Sequence, residues 1–456
     1  MIVSKDQFIK SGVIAGMASL LPMTFFGKTT PESHKLPNIL LILADDLGYG
    51  DLSCQGAKDI QTPDIDKLFS NGMKFTGFYA NSTVCSPTRA SLLTGRYPDR
   101  VGVPGVIRTH PEDSWGYLSS EAVLLSQKLK KAGYHTALIG KWHLGLDAPN
   151  LPNQRGFDYF HGFLGDMMDD YYTHLRFKNN YMRENDRVIN PEGHATDLFA
   201  GWAVQYLKER EKKKLPFFLY LAFNAPHDPL QPPSDWLEKV KNREKNISPK
   251  RAKLAALIEH MDHNIGRVME QLEKSGQMNN TMVIFTSDNG GLLASEASNG
   301  LFRGGKQDMY EGGIRVPAAF YWKDRIASGS TFSGLAMTMD IFPTLCDITG
   351  ISPGVMDGIS LWPALSGQNP DTNQRTIFFV RREGNMKYGG MAYYAARSGD
   401  YKVLQNTPWE PMQYFNLKDD PYERKPLEKS GKEYETLFRQ LMEHIRCSGA
   451  VPWQRR

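Results

Sequence analysis

Cysteine is scarce: the 456 residues carry four, Cys54, Cys85, Cys346 and Cys447. So few, so widely spaced, exclude a disulfide framework, and their spacing matches no zinc pattern. Charge of one sign is scarce as well. The formal net charge is +4 and no like-charge run exceeds Lys212-Lys213-Lys214, so a nucleic-acid partner has no compositional support. Internal repeats and low-complexity linkers are absent, and the parts of the chain are therefore expected to share an interface. Long apolar runs are missing except near the start, where Lys5 and Lys10 precede Ser11 to Phe26. That run is short for a bilayer span and fits an export signal. Residues 1–28 are thus expected to be a signal peptide for a periplasmic or extracellular protein with no integral membrane role. No Ala-X-Ala site, lipobox cysteine or paired arginines accompany it, so an uncleaved apolar anchor is the alternative.

What is present suits a globular protein: 41% hydrophobic and 23% charged residues, in a chain long enough for one large domain and a smaller one. Four apolar runs end in residues suited to a site. Asn38 to Ala44 delivers Asp45-Asp46-Leu47-Gly48-Tyr49-Gly50, and Tyr134 to Gly140 delivers Lys141-Trp142-His143. Phe217 to Phe223 delivers Asn224-Ala225-Pro226-His227, and Thr281 to Thr286 delivers Ser287-Asp288-Asn289. Such runs read as buried parallel strands, and parallel α/β sheets bind ligands beyond the carboxyl ends of their strands. For Asp45 and Asp46 to meet one ligand the chain must leave strand geometry, which Gly48 and Gly50 allow. Leu254, Leu257, Ile258, Met261, Ile265, Val268, Met269 and Leu272 fall at helical spacing. His260 and His263, in that helix, read as structural or solvated because no third metal ligand is at hand.

The glycines of Gly300 to Pro317 exclude a regular helix or strand and bring backbone and Lys306 close to a ligand. From about Thr376, short strand-like segments (Thr376 to Val380, Ala392 to Ala396, Tyr401 to Leu404) and a helical stretch, Leu427 to Ile445, suggest a small antiparallel domain. The organisation expected is an α/β domain over residues 36–370, with a large mostly parallel sheet flanked by helices. An α+β subdomain, an antiparallel sheet plus helix, follows over 371–456.

Chemistry concentrates at Val84-Cys85-Ser86-Pro87-Thr88-Arg89. Pro87 suits the first turn of a helix, which puts Cys85 at or near its N-cap, where backbone N–H groups favour an anion. Arg89 adds a fixed cation one turn on. Asp45, Asp46 and Asp288, converging, would repel by about 4 kcal/mol per pair at ~4 Å and an effective dielectric of 20. They therefore call for a cation. With Asn289 as a fourth oxygen donor the set favours a hard ion, and Ca2+ suits a crowded carboxylate shell better than Mg2+.

Cys-X-Pro-X-Arg followed by Ala90-Ser91-Leu92-Leu93-Thr94-Gly95-Arg96 resembles the signature of the formylglycine-dependent (type I) sulfatases of the alkaline-phosphatase-like superfamily. The resemblance runs from Asn38 to Asn416-Leu417-Lys418-Asp419-Asp420-Pro421. It implies that Cys85 is converted to formylglycine (3-oxoalanine) by a formylglycine-generating or anaerobic sulfatase-maturating enzyme. It also implies that Asp45, Asp46, Asp288, Asn289 and the modified Cys85 hold Ca2+, and that Arg89 holds the aldehyde hydrate. Lys141 and Lys306 correspond to lysines on the sulfate oxygens, His143 to the histidine beside the nucleophile, and His227 to the one near the leaving oxygen. A hydrated aldehyde is chemically apt, because one hydroxyl attacks the sulfate ester and collapse to the carbonyl expels sulfate, whereas a thiolate would be left as a stable adduct.

Gly156 to Phe160, Asp169 to His174 and Ala225 to Gln231 resemble the arylsulfatase B, or N-acetylgalactosamine 4-sulfatase, branch. That implies an exo-acting 4-O-sulfatase on sulfated galactose or N-acetylgalactosamine, with Asp170, His174, Arg381 and Arg382, in the segment ending at Glu383, as sugar contacts. Competing readings are a sulfatase for the 6-O position or other sulfate esters, a phosphate or phosphonate ester hydrolase, and an inert sulfated-glycan binding protein. A typical two-metal phosphatase needs a second ligand cluster that is not seen near Asp288. An inert scaffold is expected to have lost Cys85, Arg89 or a metal ligand.

Overall fold

The four apolar runs become the middle of one sheet. The computed structural model describes residues 35–213, 215–384 and 391–448, so the expected signal peptide lies outside the described residues. Asn38–Asp45 lies between Thr281–Ser287 and Phe217–Pro226, and His135–Lys141 and Tyr159–Phe163 follow beyond Phe217–Pro226. Each neighbouring pair among these strands is parallel. Strands covered on both faces have no solvent side, which is why they read as unbroken apolar runs. Every residue from Ile39 to Ala44 is buried. Shorter strands complete a ten-stranded sheet: Ala318–Tyr321, Met73–Phe75 and Ser330–Phe332 on one edge, Met182–Glu184 and Arg187–Val188 on the other.

Helices Pro63–Asn71, Ala195–Glu211 and Pro249–Lys274 cover one face. In the last of these, Leu254, Leu257, Ile258, Met261, Ile265, Val268 and Leu272 are buried, as their spacing requires. Ser248 caps it by accepting the Arg251 N–H at 3.0 Å, and Pro249 occupies the first turn, where a missing donor costs nothing.

The carboxy-terminal segments form a four-stranded antiparallel sheet of Thr376–Arg382, Ala392–Ser398, Tyr401–Gln405 and Gln413–Asn416. Side chains alternate across it. Ile377, Phe379, Ala395, Leu404 and Phe415 cluster with Tyr79, Met309 and Ile314, whereas Ala396, Val403 and Tyr414 meet Leu437 and Leu441. The helix bearing those leucines spans Lys432–Ser448, not Leu427 onward. Leu427 instead donates its N–H to Tyr414 O at 2.7 Å, and Gly431, at φ 91°, turns the chain into the helix.

From Pro37 onward the described residues form one compact unit. A buried ion cluster joins the antiparallel sheet to the loop after Lys306. Lys402 Nζ lies 3.0 Å from Glu311 Oε1 and 2.8 Å from Glu423 Oε1, and Glu423 Oε2 accepts the Glu311 N–H at 2.6 Å. Burial alone would raise the Glu311 pKa, but Lys402, Arg397 and Arg315 hold it down to about 2. Lys402→Met would leave buried carboxylates without their shared cation. The expected loss is ~3–5 kcal/mol of stability, read from the urea midpoint, and a change under about 1 kcal/mol would discard this account.

Candidate active site

Asp45 ends its strand, and the register with the neighbouring strand jumps from Leu43 opposite Ala222 to Asp45 opposite Pro226. The chain leaves strand geometry at Asp46 itself, whose φ is 67°, and not at the glycines expected to allow it. Aspartate tolerates that region better than most residues with a Cβ. Gly48 and Gly50 serve another need, since a Cβ there would sit 2.3 Å from Ser298 O and 2.4 Å from Gly300 N respectively. The turn brings Asp46 N–H to Asp288 Oδ1 at 3.2 Å and Asp46 Oδ1 to Asn289 Nδ2 at 2.8 Å.

Cys85 is the first residue of the Cys85–Thr94 helix, one beyond the extended N-cap Val84, and all ten helix residues are buried. Its Sγ lies 3.3 Å from Asp45 Oδ1. Burial first, then Asp288 and Asp45, push the thiol pKa well above its ordinary value, so an unmodified Cys85 is a neutral, weak nucleophile. One turn on, Arg89 donates to Asp288 Oδ2 from Nη2 at 2.7 Å and from Nε at 3.0 Å, and from Nη1 to Lys141 O at 3.3 Å.

Lys141 Nζ pairs with Asp45 Oδ2. His143 takes a left-handed φ of 58° and directs Nε2 to Ile107 O at 2.9 Å. A carbonyl only accepts, so Nε2 carries the proton, and the lone pair of Nδ1 is buried without a partner. Burial, then Lys141 and Arg89, hold the His143 pKa well below the usual histidine range. Lys306 arrives on the glycine loop: its N–H donates to Gly291 O at 3.0 Å, and its Nζ lies 2.7 Å from Asp46 Oδ2 and 3.0 Å from His227 Nε2. His227 Nδ1 donates to Asp228 O at 2.7 Å. The same loop contains one helical turn, Glu311–Ile314, which corrects the expectation that its glycines exclude helix. Packing demands glycine there, since a Cβ on Gly312 would lie 2.3 Å from Gly304 O and one on Gly313 2.0 Å from Asp308 O.

The side chains of Asp45, Arg89, Lys141 and Asp288 are fully buried, while Lys306 is 10% and His227 11% exposed. The site therefore opens on the Lys306 and His227 side. Ligand atoms of Asp45, Asp46, Cys85 and His227 lie within 4.8 Å of one another. Asn289 Oδ1 is a buried acceptor with no partner. Three carboxylates and an orphaned amide oxygen fit a hard divalent cation, and the lysines and Arg89 share the same negative charge.

Asp170, His174, Arg381 and Arg382, expected as sugar contacts, each bond to protein groups. Asp170 accepts N–H bonds from Tyr172 at 2.8 Å and Thr173 at 2.7 Å, and Gln231 Nε2 at 2.8 Å. His174 is 1% exposed and donates from Nε2 to Gly193 O at 2.9 Å, so it holds a loop together and has no face for a sugar. Arg381, 5% exposed, pairs with Glu383 Oε1 at 2.9 Å and donates to Gln307 O, beside Lys306, at 3.2 Å. Arg382 donates to the Tyr394 hydroxyl at 2.8 Å. Sequence reasoning missed Tyr171, which is buried and whose hydroxyl lies 2.8 Å from both Asn224 O and His227 O. A tyrosine inside a polar loop carries no local mark of that contact.

His260 is buried and hydrogen-bonded and His263 is exposed, as expected of them, but His260 has neighbours the sequence did not indicate. His194 and Asp197 join it from the start of another helix to form a three-residue cluster that could hold a metal ion. Hydrogen bonds account for much of it: His260 Nε2 lies 2.8 Å from Asp197 Oδ1, and His194 accepts the Thr196 N–H at Nδ1 and donates from Nε2 to Gln231 O. Burial, then His260, lower the His194 pKa to about 4. Between pH 6.5 and 4 the unfolded chain therefore binds a proton that the folded chain refuses, and stability falls as pH falls. The urea midpoint should drop more steeply from pH 7 to 4.5 in wild type than in His194→Gln, by ~2–3 kcal/mol across that window. Parallel pH profiles would show that His194 carries none of the effect.

The family description Sulfatase matches residues 37–351, and N-sulphoglucosamine sulphohydrolase, C-terminal, matches residues 299–448. The chain belongs to the sulfatase family. This sulfatase is 32% identical to N-acetylgalactosamine-6-sulfatase of Mus musculus, over 92% of the chain and 88% of the mouse protein. It is 33% identical to arylsulfatase A of Homo sapiens, over 80% of the chain and 74% of the human protein. The crystal structure of Ps i-CgsB in complex with k-i-k-neocarrahexaose superposes with a TM-score of 0.82 at 32% identity, covering 91% of this chain and 93% of that one. The protein is a sulfuric ester hydrolase, of the EC 3.1.6 class, in the alkaline-phosphatase-like fold foreseen for it. These relatives do not single out the N-acetylgalactosamine 4-sulfatase branch. Among the described residues no helix is long and apolar enough to cross a membrane.

Proposed function

We propose that this sulfatase is exported and removes terminal sulfate from galactose or N-acetylgalactosamine in sulfated glycans, working through formylglycine made from Cys85 by a maturation enzyme. The observation that carries the proposal is Cys85 at a buried helix start, 3.3 Å from Asp45, at a site ringed by Arg89, Lys141, Lys306, His143 and His227. Formylglycine at position 85, once hydrated, would supply the hydroxyl nucleophile and, through its second hydroxyl, the means of releasing sulfate as the aldehyde re-forms. Asp45, Asp46, Asp288, Asn289 and the modified residue 85 would hold Ca2+, which would supply positive charge to the reaction.

The chain's own residues divide the remaining work. Lys141 and Lys306 place ammonium charge where the sulfuryl oxygens gain negative charge. His143, neutral with its Nδ1 lone pair free, accepts the hydrate proton when the hydrate collapses. His227, at the open side, accepts at Nε2 from Lys306 Nζ, and after Nε2 takes up a proton from solvent it can pass that proton to the departing alkoxide. Arg89, fixed by Asp288, holds the hydrate.

For the position cleaved, the leading reading is 6-O, on the strength of the mouse N-acetylgalactosamine-6-sulfatase aligned over most of both chains. The 4-O reading retains the likeness of Asp169 to His174 and Ala225 to Gln231. Those segments bind each other, Asp170 to Gln231 and Tyr171 to His227, so their likeness reflects a loop clamp as readily as a sugar pocket. The deciding experiment is sulfate release by the matured enzyme from matched 4-O- and 6-O-sulfated galactose and N-acetylgalactosamine, with Cys85→Ala as control. Release from the 6-O sugars alone supports the leading reading, release from the 4-O sugars alone reverses it, and release from neither ends the galactose and N-acetylgalactosamine assignment.

A further inference from the structure

Two segments that touch the histidines of the site also meet each other. The first follows Ile107, the residue whose carbonyl holds His143, and the second follows Tyr171, the residue bound to the His227 carbonyl. They meet at Asp166, which accepts the Thr109 hydroxyl at 2.8 Å and Arg176 Nε at 3.0 Å. Asp169 then accepts Arg176 Nη1 at 2.8 Å and the Phe177 N–H at 2.6 Å. On this frame the Arg176 guanidinium lies 3.9 Å from the centroid of the Phe177 ring, and the His110 ring stacks on Phe177 with centroids 4.9 Å apart and planes 27° apart.

The stack is exposed although its frame is not. Phe177 is 45% exposed, His110 is exposed, and Asp166 is 7% exposed. Phe177 and Lys178 form the two-residue turn between Leu175–Arg176 and Asn179–Asn180, with φ of 48° and 64°. Glycine and asparagine favour such a turn, and a bulky aromatic there is strained. A strained backbone that holds an apolar ring in water, six residues from Tyr171, which bonds the His227 carbonyl, suggests a ligand.

We propose that His110 and Phe177 are a stacking platform for the sugar that follows the sulfated one, on the side of the leaving oxygen. This rests on the carbohydrate-sulfatase reading above. The apolar C–H face of a pyranose lies against the outer face of His110 and the rim of Phe177, as ligands pack on aromatic walls that frame a polar centre. Chain reach supports the placement, since His110 lies three residues from Ile107, within about 10 Å.

The test compares matured wild type, His110→Ala and Phe177→Asn on a sulfated N-acetylgalactosamine monosaccharide and on an oligosaccharide ending in the same sugar. Asparagine keeps a side chain that accepts the turn. The expected result is a fall of roughly 3- to 10-fold in the ratio of oligosaccharide to monosaccharide kcat/KM, carried by KM with kcat held. An unchanged ratio, or a loss carried by kcat on both substrates, overturns the platform. If wild type releases sulfate from neither sugar, the substrate reading fails, and titration of the oligosaccharide into Cys85→Ala judges the platform. Binding weakened by Phe177→Asn in that background supports it, and binding that is absent or unaltered overturns it.

Discussion

Cys85→Ala should lower sulfate release by on the order of 10⁶-fold, the scale of removing a nucleophile outright. Little else should change. The helix keeps its entry at Val84, its exit at Gly95, where φ is 67°, and the Arg89 pair with Asp288. Alanine is also a better helix residue than cysteine. Cys85→Ser separates nucleophilicity from turnover. A serine hydroxyl that attacked the ester would be left sulfated, with no second oxygen on the same carbon to drive release, so unmatured Cys85→Ser should release at most one desulfated sugar per enzyme and no free sulfate. Mass analysis of the peptide spanning Val84 to Arg89 completes the test. Full activity from protein whose Cys85 is wholly unmodified thiol would end the formylglycine mechanism.

The parallel strands were legible because burial on both faces removes alternation, and the runs from Asn38, Phe217 and Thr281 each begin a strand where expected. Their polar termini were legible for the same reason, since an abrupt change from apolar to ionisable residues marks where the sheet ends. Contacts made far along the chain were not legible. His194 and Asp197 reach His260 across 66 and 63 positions, and Tyr171 reaches His227 across 56. Nothing at helical or strand spacing records such pairs. Backbone strain was hidden too. Asp46 and His143 hold positive φ without being glycine, and propensity favours placing such turns at Gly48 and Gly50. The partners of Asp170 and His174 were hidden as well: polar residues in a loop near the site suggest ligand contacts, whereas their bonds to Tyr172, Gln231 and Gly193 leave no local pattern.

Calcium should stabilise the protein even when chemistry is impossible. In the Cys85→Ala background, which retains Asp45, Asp46, Asp288 and Asn289, Ca2+ at about 100 times its Kd should add ~2.7 kcal/mol of stability, read as a rise in Tm. Asp288→Asn in the same background separates two roles of one carboxylate. It removes a negative metal ligand, so the calcium-induced shift should shrink or vanish. It also takes the anionic partner from Arg89, which is fully buried and, among the described carboxylates, otherwise faces only Asp45 Oδ2, at 3.6 Å. Breaking one side of such a pair costs about 3–5 kcal/mol, so the variant should melt below its parent before any calcium is added. In active enzyme, chelation should abolish turnover and added Ca2+ should restore it. A Tm that responds to Zn2+ but not to Ca2+ would contradict the oxygen-donor argument, because Asp45, Asp46, Asp288 and Asn289 present no nitrogen or sulfur pair that zinc prefers. A low Tm in Asp288→Asn with an undiminished calcium shift would leave Asp288 as the anchor of Arg89 alone, and the ion would then belong to Asp45, Asp46 and Asn289.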